Sequence, residues 1–150
     1  MPHAEPKPLA APSLTAVLFG LSGCLVDFGA RTHRNGRHAN ARAEVTPGAL
    51  ESLHDLQRQQ IPCAWLDELS AALCDSLAAA LPEWILPSQH LATINPWPAP
   101  DACWQALMRL KVERLEGCVL VSGEPRLLQS GLNAGLWTIG LASCGSLCGL

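Results

Sequence analysis

The chain contains no tyrosine, two phenylalanines and two methionines, and Lys7 and Lys111 are its only lysines. Charge is scarce too, at 15% of 150 residues. The formal net charge is −3, without the basic excess expected of a general nucleic-acid binder. No apolar run approaches the roughly 18 residues of a membrane-spanning helix, and the N-terminus lacks the charged-then-apolar order of a secretory leader. These absences predict a soluble cytoplasmic protein with neither nucleic acid nor membrane as partner. Without a leader, the seven cysteines, an odd number at 24, 63, 74, 103, 118, 144 and 148, read as reduced core thiols. Cys144 and Cys148 form a C-x3-C pair with no histidine nearby, so no zinc grouping is expected.

What is abundant is apolar surface: 49% of residues are hydrophobic. A chain of this length buries roughly 68–70% of its unfolded surface, enough for one compact domain. Met1 to Pro12 carries four prolines and is expected to be a loose tail, leaving 13–150 as a single core domain. From Ser13 strands alternate with helices. Leu14–Phe19, Ile61–Leu66, His90–Ile94, Cys118–Val121 and Trp137–Leu141 read as strands. Helices are expected at Pro47–Gln60 behind a Thr46 N-cap, from Asp67 or Ser70 to about Ala80, at Asp101–Leu110 with Ala102, Leu107 and Leu110 facing the sheet, and at Arg126–Ala134. That alternation implies right-handed crossovers and a parallel sheet of about five strands covered on both faces, a three-layer α/β/α domain. Ligands in such sheets bind beyond the carboxyl ends of the strands.

The stretch Ala16-Val17-Leu18-Phe19-Gly20-Leu21-Ser22-Gly23-Cys24-Leu25-Val26-Asp27-Phe28-Gly29 leads from an apolar strand through a glycine-bearing turn, where backbone can approach a ligand closely. Near the other end, Gly131-Leu132-Asn133-Ala134-Gly135-Leu136-Trp137-Thr138-Ile139-Gly140-Leu141 takes a helix to a glycine and starts a last strand. The two segments, in this order, resemble the haloacid dehalogenase superfamily, and within it the phosphonoacetaldehyde hydrolase branch. The resemblance implies a Rossmann-like core with the first strand at its centre, an aspartate nucleophile, magnesium as cofactor and an inserted cap.

Residue by residue, the chain departs from that pattern. Gly20 stands where the resemblance implies the nucleophilic, magnesium-binding aspartate. Ser22 stands where phosphatases of the superfamily carry a second acid and the phosphonatase branch a small residue. The serine or threonine that would hold phosphoryl oxygens at the end of the second strand is replaced by Leu66 or Asp67, depending on register. Asn95, in Asn95-Pro96-Trp97-Pro98, takes the place of the basic residue. The paired magnesium acids align with Gly123 and Leu127, and a shift of one residue recovers Glu124 as the first acid alone. About twenty residues separate Asp27 from Pro47, too few for the cap. Neither lysine lies where the branch forms its Schiff base.

The expectation is therefore a capless, catalytically degenerate relative with a binding or regulatory role, no catalytic residue and no metal ligands. Two alternatives stand beside it. One is a divergent hydrolase using rearranged carboxylates, with Asp27, Asp67 and Glu124 as candidates. The other is an interaction module or homodimer, for which Trp84 and Trp97 in proline-bordered loops are candidate contacts. A small anionic ligand has candidate partners in the turn at Gly20, Leu21, Ser22, Gly23 and Cys24 and in Arg31, Arg34 and Arg37 of the basic connection that follows.

Overall fold

The structure, a computed structural model, describes residues 13–27, 44–87 and 95–142. In chain order the elements are strands β1 (Ala16–Gly20), β2 (Val26–Asp27) and β3 (Glu44–Val45), helix α1 (Ala49–Arg58), β4 (Cys63–Leu66), α2 (Ala71–Ala78), β5 (Leu86–Pro87), α3 (Asp101–Arg109), β6 (Cys118–Ser122), α4 (Pro125–Ala134) and β7 (Trp137–Gly140). Five strands form a parallel sheet in the order β5-β4-β1-β6-β7, with β1 central. β2 and β3 pair antiparallel in a separate ladder, Val26 opposite Val45.

Strand alternation divides the core into two layers. Ala16 and Leu18 of β1, Ala64 and Leu66 of β4, and Cys118 and Leu120 of β6 pack with Cys103, Ala106 and Leu107 of α3 and Leu127 and Ala134 of α4. Val17 and Phe19, with Cys63 and Trp65, turn the other way, onto Leu53 of α1 and Cys74 and Leu77 of α2. Helices therefore cover both faces of the sheet. At the β7 edge the covering thins: Trp137 and Ile139 are 68% and 52% exposed.

Several boundaries differ from the sequence expectation. α1 starts at Ala49 with Gly48, at φ +83°, as its N-cap and no side-chain cap; Thr46 and Pro47 lie in the preceding turn, where the Thr46 carbonyl accepts from the Ala49 amide at 3.0 Å. Ser70 caps α2, its hydroxyl accepting from the Leu73 amide. The strand beside β4 is Leu86–Pro87, upstream of the expected His90–Ile94, which lies outside the described residues. The proposed tail to Pro12 and the Cys144/Cys148 pair also lie outside them. α4 begins on Pro125, whose missing amide costs nothing at a first helical position. It ends at Gly135, whose φ of +87° is a left-handed cap conformation that glycine adopts without penalty.

Candidate functional site

In this sheet β1 is followed by β4 on one side, while β6 returns on the other. The switch point, and with it the crevice where open α/β sheets bind ligands, lies at the carboxyl ends of β1 and β6. Those ends are Gly20 and Ser122. They are packed together. A Cβ built on Gly20 would stand 2.9 Å from Ser122 Oγ and 3.3 Å from Leu127 Cδ2. The Ser122 hydroxyl is fully buried and accepts from the Glu124 amide at 2.9 Å, which fixes it against Gly20.

The register places Gly20 opposite Leu66, so Leu66 is the last residue of β4 and Asp67 the first beyond it. Leu66 is core. Asp67 turns towards the β1 turn: its Oδ2 accepts from the Ser22 hydroxyl at 2.6 Å and the Ser22 amide at 2.9 Å, and its Oδ1 accepts from the Leu69 amide at 3.1 Å. Other amides of the turn also have internal acceptors. Leu21 donates to the Leu66 carbonyl, Gly23 to Val26 and Leu25 to Gly20. Cys24 is buried, and its thiol belongs to the α1/α2 layer.

The proline-bordered loop closes the third side. Three of its five residues from Pro96 to Pro100 have no amide hydrogen, so its carbonyls need donors from elsewhere. α4 supplies them from one stripe: Arg126 Nη2 donates to the Trp97 carbonyl at 2.7 Å, Ser130 to Ala99 at 2.6 Å and Asn133 to Pro98 at 2.9 Å. Glu68, one residue past Asp67, accepts from the Trp97 amide at 2.8 Å and faces Arg126 at 3.5 Å. The cation beside this loop is thus Arg126. Asn95 is exposed and reaches Asp101 at the start of α3 instead.

The expected carboxylates do not converge. Asp27 is exposed on β2, opposite Glu44; Asp67 serves Ser22; and Glu124 caps α4, accepting from the Arg126 amide at 3.3 Å. Gly123 and Leu127 are buried, and Leu127 is part of the core beneath Gly20. Among the described residues no group of three or more His, Cys, Asp or Glu side chains is close enough to share a metal ion. Magnesium takes mostly carboxylate, phosphate and water oxygen, and here Asp67 and Glu124 each accept from backbone amides, of Ser22 and Leu69 and of Arg126. Arg31, Arg34 and Arg37 lie outside the described residues.

The tryptophans fall differently from the expectation. Trp97 is buried under its loop and Trp65 is in the core, whereas Trp104 and Trp137 are the exposed ones. Trp84 is half-buried, and its indole N–H has no acceptor among the described residues. Sequence reasoning assigned no role to Ser122, Glu68 or Arg126. For Arg126 a signal existed, a cation at the start of a helix that leaves the crevice. For Glu68 the partners Trp97 and Arg126 are distant in sequence, as is the Gly20 that Ser122 packs against.

Strand order, both helical layers and the crevice position define the hydrolase fold of the haloacid dehalogenase superfamily, and solved structures carry the same arrangement. A superfamily hydrolase from Ehrlichia chaffeensis superposes with a TM-score of 0.70 at 14% identity, over 87% of this chain and 93% of its own. Two of the similar proteins are more specifically phosphonoacetaldehyde hydrolase-like. A curated phosphonoacetaldehyde hydrolase-like protein of Syntrophobacter fumaroxidans is 29% identical over 112 residues, covering 72% of this chain. The matched region is 40% of that relative's length. A phosphonoacetaldehyde hydrolase-like structure from Oleispira antarctica aligns over 93% of this chain and 76% of its own, with a TM-score of 0.74 and 16% identity. Another solved structure is 58% identical over 92% of this chain and 71% of its own, with a TM-score of 0.79. No family model matches the chain. No helix among the described residues is long and apolar enough to cross a membrane.

Proposed function

We propose that this chain is a capless, catalytically inactive member of the phosphonoacetaldehyde hydrolase-like group, acting as a binding or regulatory module. The observation that carries the reading is the contact between the ends of β1 and β6. Where a nucleophile's side chain would start, Ser122 Oγ stands 2.9 Å away and Leu127 behind it. The residue at that place is a glycine, and neither a nucleophile nor a primary magnesium ligand can be drawn from it. The remaining carboxylates do not fit magnesium, because Asp67 and Glu124 each hold backbone amides of their own neighbourhood. Loss of a nucleophile alone costs on the order of a million-fold in hydrolases whose catalytic residues act as a unit.

Support for the capless reading comes from the β2–β3 ladder. Pairing Val26 with Val45 and Asp27 with Glu44 brings the two ends of the connection together. A cytoplasmic location is part of the same reading.

The test is a screen of phosphate monoesters and phosphonoacetaldehyde in magnesium, at protein concentrations that would reveal turnover far below ordinary enzyme rates. The expected result is no release above the buffer rate. Turnover that disappears in Asp67→Asn or Glu124→Gln would establish the alternative, a hydrolase with rearranged carboxylates.

A further inference from the structure

β7 is an edge strand: it pairs with β6 on one side, and among the described residues no strand lies on its other side. Leu141, just past it, donates to the Ser122 carbonyl at 2.9 Å. By alternation Trp137 and Ile139 also turn their backbone groups to β6, and Thr138 and Gly140 turn theirs outward. Apolar side chains flank that edge on both faces. Thr138 faces Gly131 of α4, which leaves Trp137 and Ile139 exposed on the opposite face. On the α4 face, Ser130 meets Cys103 of α3, so the Arg126, Ser130 and Asn133 stripe looks toward the centre of the sheet. Half-buried Leu128 and exposed Leu132 lie on the other flank of Gly131, over the β7 edge.

Edge strands of folded proteins are normally blunted by a charged side chain, a proline or a bulge. β7 reads Trp-Thr-Ile-Gly and carries neither charge nor proline. From Leu127 to Leu150 the sequence has no Asp, Glu, Lys, Arg or His. This neutrality selects the occupant. Across a two-fold axis each side chain near the axis meets its own kind, so a single charge there would repel its twin, whereas a neutral apolar band is complementary to itself.

We propose that β7 pairs antiparallel with β7 of a second copy of this chain, across a two-fold axis at Ile139, joining the two five-stranded sheets into one. That register is the one the backbone favours, because it sets Thr138 opposite Gly140 of the second copy and lets both residues exchange their outward N–H and C=O groups. Ile139 then stands against its twin in a narrow, non-hydrogen-bonded pair, with Cα atoms about 4.5 Å apart. Trp137 comes opposite Leu141 of the second copy. The axis runs perpendicular to the sheet, so the two α4 helices lie side by side on one face with Leu132 between them.

Sedimentation velocity of the unmodified protein, from micromolar to sub-millimolar concentration, is expected to show a species of twice the 16.0 kDa chain mass. Ile139→Lys and Ile139→Glu, each alone, should weaken the dimer by at least about tenfold through like charges on the axis. Mixing the two variants should restore it, since Lys then meets Glu. A unmodified chain that stays monomeric would overturn the proposal, as would a dimer that tolerates both charges or a mixture that fails to reassociate. Hydrogen exchange of the unmodified protein tests the same edge without a substitution, and decides the matter if the charged variants do not fold. The Thr138 and Gly140 amides should become protected on concentration, while Ile139, already bonded to β6, should not change. Protection of Thr138 and Gly140 that is independent of concentration would mean that the chain covers its own edge, and exposure at every concentration would leave the edge to a different partner; either result sinks the proposal.

Discussion

At the scale of single residues, the crevice is governed by what small side chains permit. A β-carbon at Gly20 would meet Ser122 Oγ at 2.9 Å and Leu127 Cδ2 at 3.3 Å, so a neighbouring side chain would have to shift. Gly20→Asp should therefore destabilise by about 1–3 kcal/mol, the usual cost of overpacking a filled site. Urea denaturation measures it, and adding Ser122→Gly should restore part of the loss; a fully stable single variant would show the crevice to be open. Asp67 and Ser22 form the second residue-scale unit. A double-mutant cycle of Ser22→Ala and Asp67→Asn should give a coupling of about 1–2 kcal/mol, in the range for a hydrogen bond to a charged acceptor. Additive losses would mean that the 2.6 Å contact contributes nothing. That Gly20 ends the first strand and Asp67 follows the second could be read from the sequence. Their partners could not: Ser22 and Asp67 are 45 residues apart, and only β1–β4 pairing brings them together.

Elements are held together by similarly close approaches. α4 lies against β6 and β7 through Gly131, where an added Cβ would stand 2.5 Å from Leu120 Cδ2 and 3.0 Å from Thr138 Cγ2. Helix propensity alone favours alanine over glycine by about 1 kcal/mol. Packing should reverse that sign: Gly131→Ala is expected to lower stability by about 1–3 kcal/mol, read from the denaturation midpoint. Elsewhere on its surface α4 holds the proline loop by the Arg126, Ser130 and Asn133 stripe. Arg126→Ala removes the donor to the Trp97 carbonyl and the partner of Glu68. Faster hydrogen exchange at the Trp97 amide should follow, with a stability loss of about 1 kcal/mol. The helix itself was legible over Arg126–Ala134 with a glycine at its end. That its stripe would serve a loop upstream of α3 was not, since nothing in a helical pattern says which surface it will meet.

At the scale of the whole molecule, burial in both layers of the core holds the Cys63, Cys74, Cys103 and Cys118 thiols in the protonated form. Burial pushes Cys63 and Cys74 up to about 12 and Cys103 to about 11, with nearby Asp67 and Asp75 adding to the effect at Cys74. Folded chains therefore keep protons that unfolded chains release from about pH 9 upward. Where the native state binds more protons, stability falls as pH rises. Stability should then be flat from this source below about pH 8 and decline between roughly pH 9 and 12. Denaturation at stepped pH would check it, as would mapped thiol labelling, in which Cys24, Cys63, Cys74, Cys103 and Cys118 should react slowly until denaturant is added. Rapid labelling of Cys63 or Cys74 in the folded protein would contradict the burial that underlies the argument.

The succession of the main strands and helices along the chain was determined by the sequence itself, because hydrophobic period and the caps at Ser70 and Gly135 are local quantities that neighbouring residues carry wherever the chain goes. The two-residue strands at Val26–Asp27, Glu44–Val45 and Leu86–Pro87 were exceptions, since two residues carry no period. What tertiary structure alone decided is the state of the crevice. Whether Gly20 faces open space or Ser122, and whether Asp67 meets an ion or its own chain, depends on distances between segments that the chain's linear order does not contain.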